Sequence, residues 1–172
     1  MVTDNSPLIN KVAESGLITI DLEDHVKLGE IAVFDLKGYL FQELILKEKD
    51  FREALKQLDW EQYQDKHVAV YCSTDAIIPD WAYMLVASNL EGIASSVLLG
   101  DEQTMQLQLV KEAVANIAID KYKDKMVMIK GCGTERVPTS AYLEITNRLR
   151  PIVKSLMYGE PCSTVPVYKR KS

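Results

Sequence analysis

The chain has 172 residues, of which 47% are hydrophobic and 26% are charged, and its formal net charge is −5 at pH 7. This length and composition are typical of one globular domain with a sizeable core, so we predict a single domain over residues 1–172. The acidic balance argues against a general nucleic-acid binder, because phosphate backbones need a concentrated positive surface. No apolar run is long enough to cross a bilayer, and residues 1–10 show no secretory signal, so we expect no membrane association and a cytoplasmic protein.

The predicted elements alternate between strands and helices. Short β-branched or apolar runs predict strands at 16–22, 30–36, 67–72, 95–99 and 126–130. Helical spacing of apolar residues predicts a first helix through a stripe of Phe51, Ala54, Leu55 and Leu58. Later helices are predicted at 79–92, 101–119 and 138–150, with a continuation over 151–158 after Pro151. This order predicts an α/β fold with crossover helices, in which the strands at 67–72, 95–99 and 126–130 share one mostly parallel sheet.

Part of the chain repeats itself. Residues 63–90 align with residues 122–149 without a gap, at an offset of 59 residues and with eight identities in 28 positions. The shared unit contains an Asp-Lys turn, an apolar strand, a loop, a proline and a helix. An internal αβα duplication explains this periodicity. Convergence on common turn chemistry is the alternative explanation, and both lead to the same architecture.

The repeat gives two of the three cysteines equivalent positions. Cys72 ends one repeated strand and Cys132 ends the equivalent one, displaced by a residue, so both are predicted at the carboxyl edge of the sheet, where open parallel sheets bind ligands. The helix N-termini that follow these loops favour a thiolate over a thiol. Cys162 lies in a segment with Pro161 and Pro166, which we expect to bring the third thiol to the same edge.

Three cysteines without a CxxC spacing are core residues, metal ligands or reactive thiols. As ligands, Cys72, Cys132 and Cys162 could bind zinc or an iron–sulfur cluster, which need ligands that are close in space only. His25, Asp75 or a water molecule could supply a fourth ligand. Gly131, Gly133 and Arg136 give at most a weak anion site.

Four segments carry a resemblance to a known family. "EKDFREALKQLDW", "AIIPDWAYM", "IKGCG…VPTSAY" and "KSLMYGEPCSTVPVYK" resemble the bacterial family catalogued as domain of unknown function 2480, and "YGEPCSTVP" is the most specific of these matches. The resemblance implies no assigned activity. It implies a link to iron–sulfur cluster assembly through neighbouring sulfur-mobilisation genes, and hence protein partners in sulfur or iron–sulfur metabolism.

Three functional hypotheses follow. The first is a small cytoplasmic accessory protein whose cysteines hold a metal ion, an iron–sulfur cluster or a sulfur species. The second is an enzyme with a cysteine nucleophile, for which the sequence offers no neighbouring histidine and no identifiable reaction. The third is a binding or scaffold module in which the cysteines only pack in the core.

Overall fold

The structure is a computed structural model, and it describes residues 16–131, 133, 136–160 and 163–171. Within these residues it contains nine strands and four α-helices, which confirms the predicted α/β class. The strands are β1 (Leu17–Ile20), β2 (Ile31–Asp35), β3 (Leu40–Phe41), β4 (Ile45–Leu46), β5 (His67–Tyr71), β6 (Ser96–Leu99), β7 (Met126–Lys130), β8 (Ser155–Glu160) and β9 (Ser163–Lys169). The helices are α1 (Glu48–Gln57), α2 (Asp80–Leu90), α3 (Glu102–Ala115) and α4 (Thr139–Leu149).

The chain divides into two compact units. One comprises Leu28–Leu109, and the other joins Met1–Lys27 to Val110–Ser172. We call them the inner unit and the outer unit, since the first is inserted in the sequence of the second. The single domain predicted over residues 1–172 stays a prediction.

The inner unit contains a three-stranded parallel sheet in the order β2-β5-β6 and a short antiparallel β3-β4 hairpin. The central strand β5 is apolar on both faces, as a covered parallel sheet requires. Val68 and Val70 pack in one cluster with buried residues of α1 and α2. Ala69, between them, faces the opposite side and packs with Met105 and Leu109 of α3.

The outer unit contains a four-stranded sheet in the order β1-β7-β8-β9. The first three strands are parallel, and β9 returns antiparallel to β8 with a register shift at Leu156/Met157. Strand β7 is central, and Val127, Met128 and Ile129 are all buried. Helix α4 buries Ala141, Ile145 and Leu149, three residues on one helical face. They share this face because they are spaced four residues apart along the chain.

The structure confirms the repeat. Helix α4 begins and ends 59 residues after α2, and β7 begins and ends 59 residues after β5. The Asp-Lys turns also match, since Asp65 and Asp124 have φ values of 59° and 58°. The amides of these two aspartates donate to Ile93 and Ile152 respectively, both at 2.9 Å. The same backbone hydrogen bonds therefore close the same unit twice.

The repeat extends beyond the aligned segment. Strand β1 pairs with β7 as β2 pairs with β5, so Asp21 and Asp35 occupy equivalent positions. Each aspartate caps a short 3-10 turn through its side chain, and each is followed by a fully buried leucine, Leu22 or Leu36. The repeated unit is thus a βαβ fold with an additional parallel edge strand.

Two sequence predictions are wrong. The segments at 67–72, 95–99 and 126–130 do not share one sheet, because β5 and β6 lie in the inner sheet and β7 lies in the outer sheet. The alternation of strands and helices predicts each βαβ unit, but it does not predict whether successive units add their strands to the same sheet. The continuation of the last helix over 151–158 is also wrong. The chain turns at Ile152 and Val153 and enters β8, the counterpart of β6.

Candidate functional site

A charged pair lies at the carboxyl edge of the outer sheet. Asp21 directly follows β1, Lys130 ends the adjacent strand β7, and Lys130 Nζ lies 2.5 Å from Asp21 Oδ2. The hydrogen bond from Lys130 is the largest influence on Asp21 and lowers its pKa, and the same bond raises the pKa of Lys130. Both side chains are partly exposed, so water screens much of the attraction. The pair therefore orients Lys130 more than it stabilises the fold.

A shielded carboxylate oxygen lies at the end of the next strand. Glu160 ends β8, and its Oε1 atom is buried without a hydrogen-bond partner among the described residues. The charge of Glu160 also contributes to the raised pKa of Lys130, which places the two groups at the same edge. A carboxylate oxygen withdrawn from water without a donor is costly unless a cation or a bound molecule compensates it.

The backbone after β7 is closely packed by side chains. A Cβ atom at Gly131 would lie 2.7 Å from the ring of Tyr158, whose hydroxyl donates to the carbonyl oxygen of Gly131 at 3.3 Å. A Cβ atom at Gly133 would lie 1.7 Å from Glu23 Oε1. A side chain at Gly131 would press on the Tyr158 ring, whereas one at Gly133 would meet only the flexible end of the Glu23 side chain. The weak anion site predicted here is already bordered by a carboxylate, which opposes a second negative charge.

The three cysteines fall in different parts of the chain. Cys72 follows β5 in the inner unit, where it is half-buried and packs against the apolar cluster that includes Tyr83. Cys132 and Cys162 lie outside the described residues. Their neighbours in the sequence, Gly131 and Ser163, belong to the outer unit.

The expectation that Cys72 and Cys132 follow strands of one sheet is wrong. Strand β5 pairs with β2 and β6, whereas β7 pairs with β1 and β8. Joint ligation by Cys72, Cys132 and Cys162 stays a prediction. Among the described residues, no group of three His, Cys, Asp or Glu side chains is arranged to hold a metal ion.

The two residues proposed as a fourth ligand, His25 and Asp75, lie in different units. His25 is exposed in the outer unit, and its charge helps to lower the pKa of Asp21, so it belongs to the same edge. Asp75 is exposed in the inner unit and borders an apolar groove there. Arg136 is exposed in the loop before α4.

The equivalent edge of the inner unit has different chemistry. Asp35 Oδ1 accepts hydrogen bonds from the backbone N–H groups of Lys37 and Ser73, at 2.9 Å and 3.0 Å. These bonds and the Ser73 hydroxyl lower the pKa of Asp35 despite an opposing effect of burial. Tyr71 stands where the outer unit has Lys130. Asp35 in the inner unit thus accepts hydrogen bonds from nearby backbone N–H groups, while Asp21 in the outer unit also forms an ion pair with Lys130.

Asp21, Lys130 and Glu160 were missed by the sequence reasoning. One signal was available for the first of them. "IDL" at 20–22 and "FDL" at 34–36 each follow an apolar strand, and this recurrence could have identified paired aspartates. Lys130 and Glu160 have no comparable local signal, because their role depends on strand pairing across the sheet.

These features define an α/β protein built from a repeated βαβ unit, with a charged sheet edge flanked in sequence by two cysteines. None of its described helices is both long and apolar enough to cross a membrane. A family model described as "Protein of unknown function (DUF2480)" matches residues 6–170, and the chain belongs to this family. The match confirms the resemblance found in the sequence. No curated protein and no solved structure matches the chain.

Proposed function

We propose that this chain is a small accessory protein with a thiolate site at the carboxyl edge of the outer sheet. Cys132 and Cys162 are the proposed protein ligands, and zinc is the simplest occupant to test. An iron–sulfur cluster or a protein-bound sulfur species would use the same two thiolates. Cys72 is a packing residue in this proposal, in keeping with its contacts in the inner unit.

The pairing of β7 with β8 carries the proposal. These strands are parallel neighbours, and Gly131 N donates to Gly159 O at 3.3 Å just past the end of β7. Cys132 is bonded to Gly131, and Cys162 is bonded to Ser163, which pairs with Glu160. Because adjacent Cα atoms are about 3.8 Å apart, the positions of Gly131 and Ser163 support a shared location for the two proposed ligands.

The charges at this edge also support the proposal. Lys130 offers a positive charge beside the segment that contains Cys132, and a nearby cation favours thiolate. Glu160 offers a carboxylate oxygen that lacks a partner among the described residues. Two thiolates and one carboxylate oxygen form a donor set that suits zinc. A fourth position could be taken by water or by a partner protein.

The proposed setting is the cytoplasm, where a reducing environment keeps both thiols available. The proposed partners are proteins of sulfur or iron–sulfur metabolism, which the family resemblance suggests. An open coordination position would let such a partner exchange the bound ion or sulfur species.

Zinc retention by the untagged full chain tests this proposal. The reduced protein is loaded with one equivalent of zinc, passed through a desalting column and analysed for bound metal. We expect about one zinc per chain, as a site with two or more thiolates retains its metal through this step. Cys132→Ser and Cys162→Ser should each lose the metal, and Cys72→Ser should retain it.

Far-UV circular dichroism of each variant separates a lost ligand from a lost fold. Equal zinc retention in all three serine variants would contradict the proposed site. A metal-free protein in which one cysteine reacts rapidly with iodoacetamide at neutral pH would instead favour the cysteine-dependent enzyme.

A further inference from the structure

The inner unit exposes a group of large apolar side chains around its β3-β4 hairpin. Leu44 is 62% exposed, Ile45 is 59% exposed, and Ile77, in the loop before α2, is 93% exposed. These three side chains border a groove of about 380 Å³ that is completed by Leu46, Asp75, Ala76 and Pro79. Contiguous exposed apolar surface of this kind is characteristic of interaction sites.

The hairpin turn is held in an unfavourable backbone conformation. Gln42 and Glu43 are consecutive non-glycine residues with φ values of 51° and 58°. Left-handed backbone is disfavoured for residues with a Cβ atom, and neither side chain is of the Asn or Asp type that tolerates it best. Positive φ at both central residues is what a type I′ hairpin turn requires, and the Leu44 amide donates to Phe41 O across this turn at 3.1 Å.

The groove is bordered by β4 and by the residue before it. Three consecutive residues, 44–46, form one of its walls, and the residues of β3 take no part in it. Among the described residues β4 pairs only with β3, so its opposite edge carries no strand partner. An unpaired strand edge beside an apolar wall is the arrangement that binds an extended peptide.

The size of the apolar surface decides between two occupants. Leu44, Ile45 and Ile77 expose roughly 300–400 Å² in total, which is within the range of the largest apolar patch on a typical monomer. A stable interface needs about 800 Å² from each partner. A second copy of this chain docked on the groove alone would bury too little surface, whereas a short extended segment needs only the strand edge and the apolar wall.

We propose that this groove binds an extended apolar segment of a partner protein, which adds as a strand to the free edge of β4. Main-chain hydrogen bonds to β4 would hold the segment in register. Alternate side chains of the segment would contact Ile45 on one wall and Ile77 on the other. This surface lies within the inner unit and is independent of the proposed thiolate site.

Binding of a defined peptide to the full-length protein tests the proposal. The probe is the blocked pentapeptide acetyl-Thr-Val-Thr-Ile-Thr-amide, titrated into isotopically labelled protein and followed by amide chemical shifts. We expect saturable shifts confined to residues 44–46 and 75–78. Methylation of alternate backbone nitrogens on the groove-facing side of the probe should weaken binding about tenfold or more, since it removes strand hydrogen bonds but leaves the side chains.

Two protein variants complete the test. Ile77→Asp should weaken binding about tenfold or more, while Met84→Asp, at another exposed apolar position on α2, should leave it unchanged. Equal affinity for the methylated and unmethylated probes would overturn strand addition. Absence of any saturable shift near the groove would overturn the binding site. A concentration-dependent dimer that Ile77→Asp dissociates would also overturn the proposal, because the occupant would then be a second copy.

Discussion

Gly159 provides a quantitative test of the sheet edge where β8 meets β9. Its φ is +126°, and a Cβ atom there would lie 2.3 Å from the carbonyl oxygen of Ser163, a backbone atom of the paired strand. Such a φ costs a residue with a side chain about 1–3 kcal/mol. The contact adds to this cost, because a backbone oxygen in a ladder cannot move aside as a flexible side chain can. We therefore expect Gly159→Ala to lower the free energy of unfolding by about 3 kcal/mol or more.

Urea unfolding followed by far-UV circular dichroism measures this loss. Gly38→Ala is the matched control, since no atom lies within 4 Å of its Cβ position and its φ is not in the positive range. The control should stay within about 0.5 kcal/mol of the wild type. If Gly159→Ala also stays within that range, the described register between β8 and β9 is incorrect.

Three further outcomes are expected. Asp21→Asn keeps the cap of the 3-10 turn but removes the charge that faces Lys130. Because folding lowers the pKa of Asp21, the charge stabilises the folded protein above the unfolded pKa of about 3.9, and this stabilisation is lost as the pH falls through the folded pKa. Wild type should therefore exceed this variant in urea midpoint at pH 7, and the gap should close in acid; a gap that widens in acid would contradict this account. Asp65→Gly relieves a positive φ in the repeated turn and should raise stability by up to about 1 kcal/mol, whereas a clear loss would show that its side chain is needed. Trp60 and Trp81 both lie in the inner unit, so tryptophan fluorescence reports the unfolding of that unit. If the chain is a single domain, Gly159→Ala in the outer unit should shift the urea midpoint measured by fluorescence as much as the midpoint measured by circular dichroism. Separate transitions would show two domains.

Local elements could be predicted from the sequence because their signals are local. The strand predicted at 126–130 is β7 with the same bounds, and that at 67–72 differs from β5 by one residue. The stripe of Phe51 and Leu55 is the buried face of α1. In each case the pattern of apolar residues along a short segment is enough to specify the element.

Pairing between distant strands could not be predicted in the same way. The sheets separate between β6 and β7, and no residue in the intervening α3 marks that change. Strand β9 was not predicted from the sequence, although a proline such as Pro166 is tolerated where a strand forms the edge of a sheet.

The charged edge of the outer sheet depends on the same distant pairing. Asp21 and Lys130 are separated by 109 residues in the chain and meet only because β1 pairs with β7. The cysteine pattern predicted a site at the carboxyl ends of the strands, and Cys72 does directly follow β5. It could not show that Cys72 is a half-buried residue packed against the apolar cluster of the inner unit, because burial arises from the surrounding structure.

X-ray absorption at the zinc edge tests the central claim most directly. The untagged full chain, loaded with one equivalent of zinc and freed of excess metal, gives the number and distance of the atoms bound to the ion. The proposed site predicts two sulfur neighbours at about 2.3 Å together with lighter oxygen or nitrogen neighbours at about 2.0–2.2 Å. A first shell without sulfur would contradict a site formed by Cys132 and Cys162 at the carboxyl edge of β7 and β8.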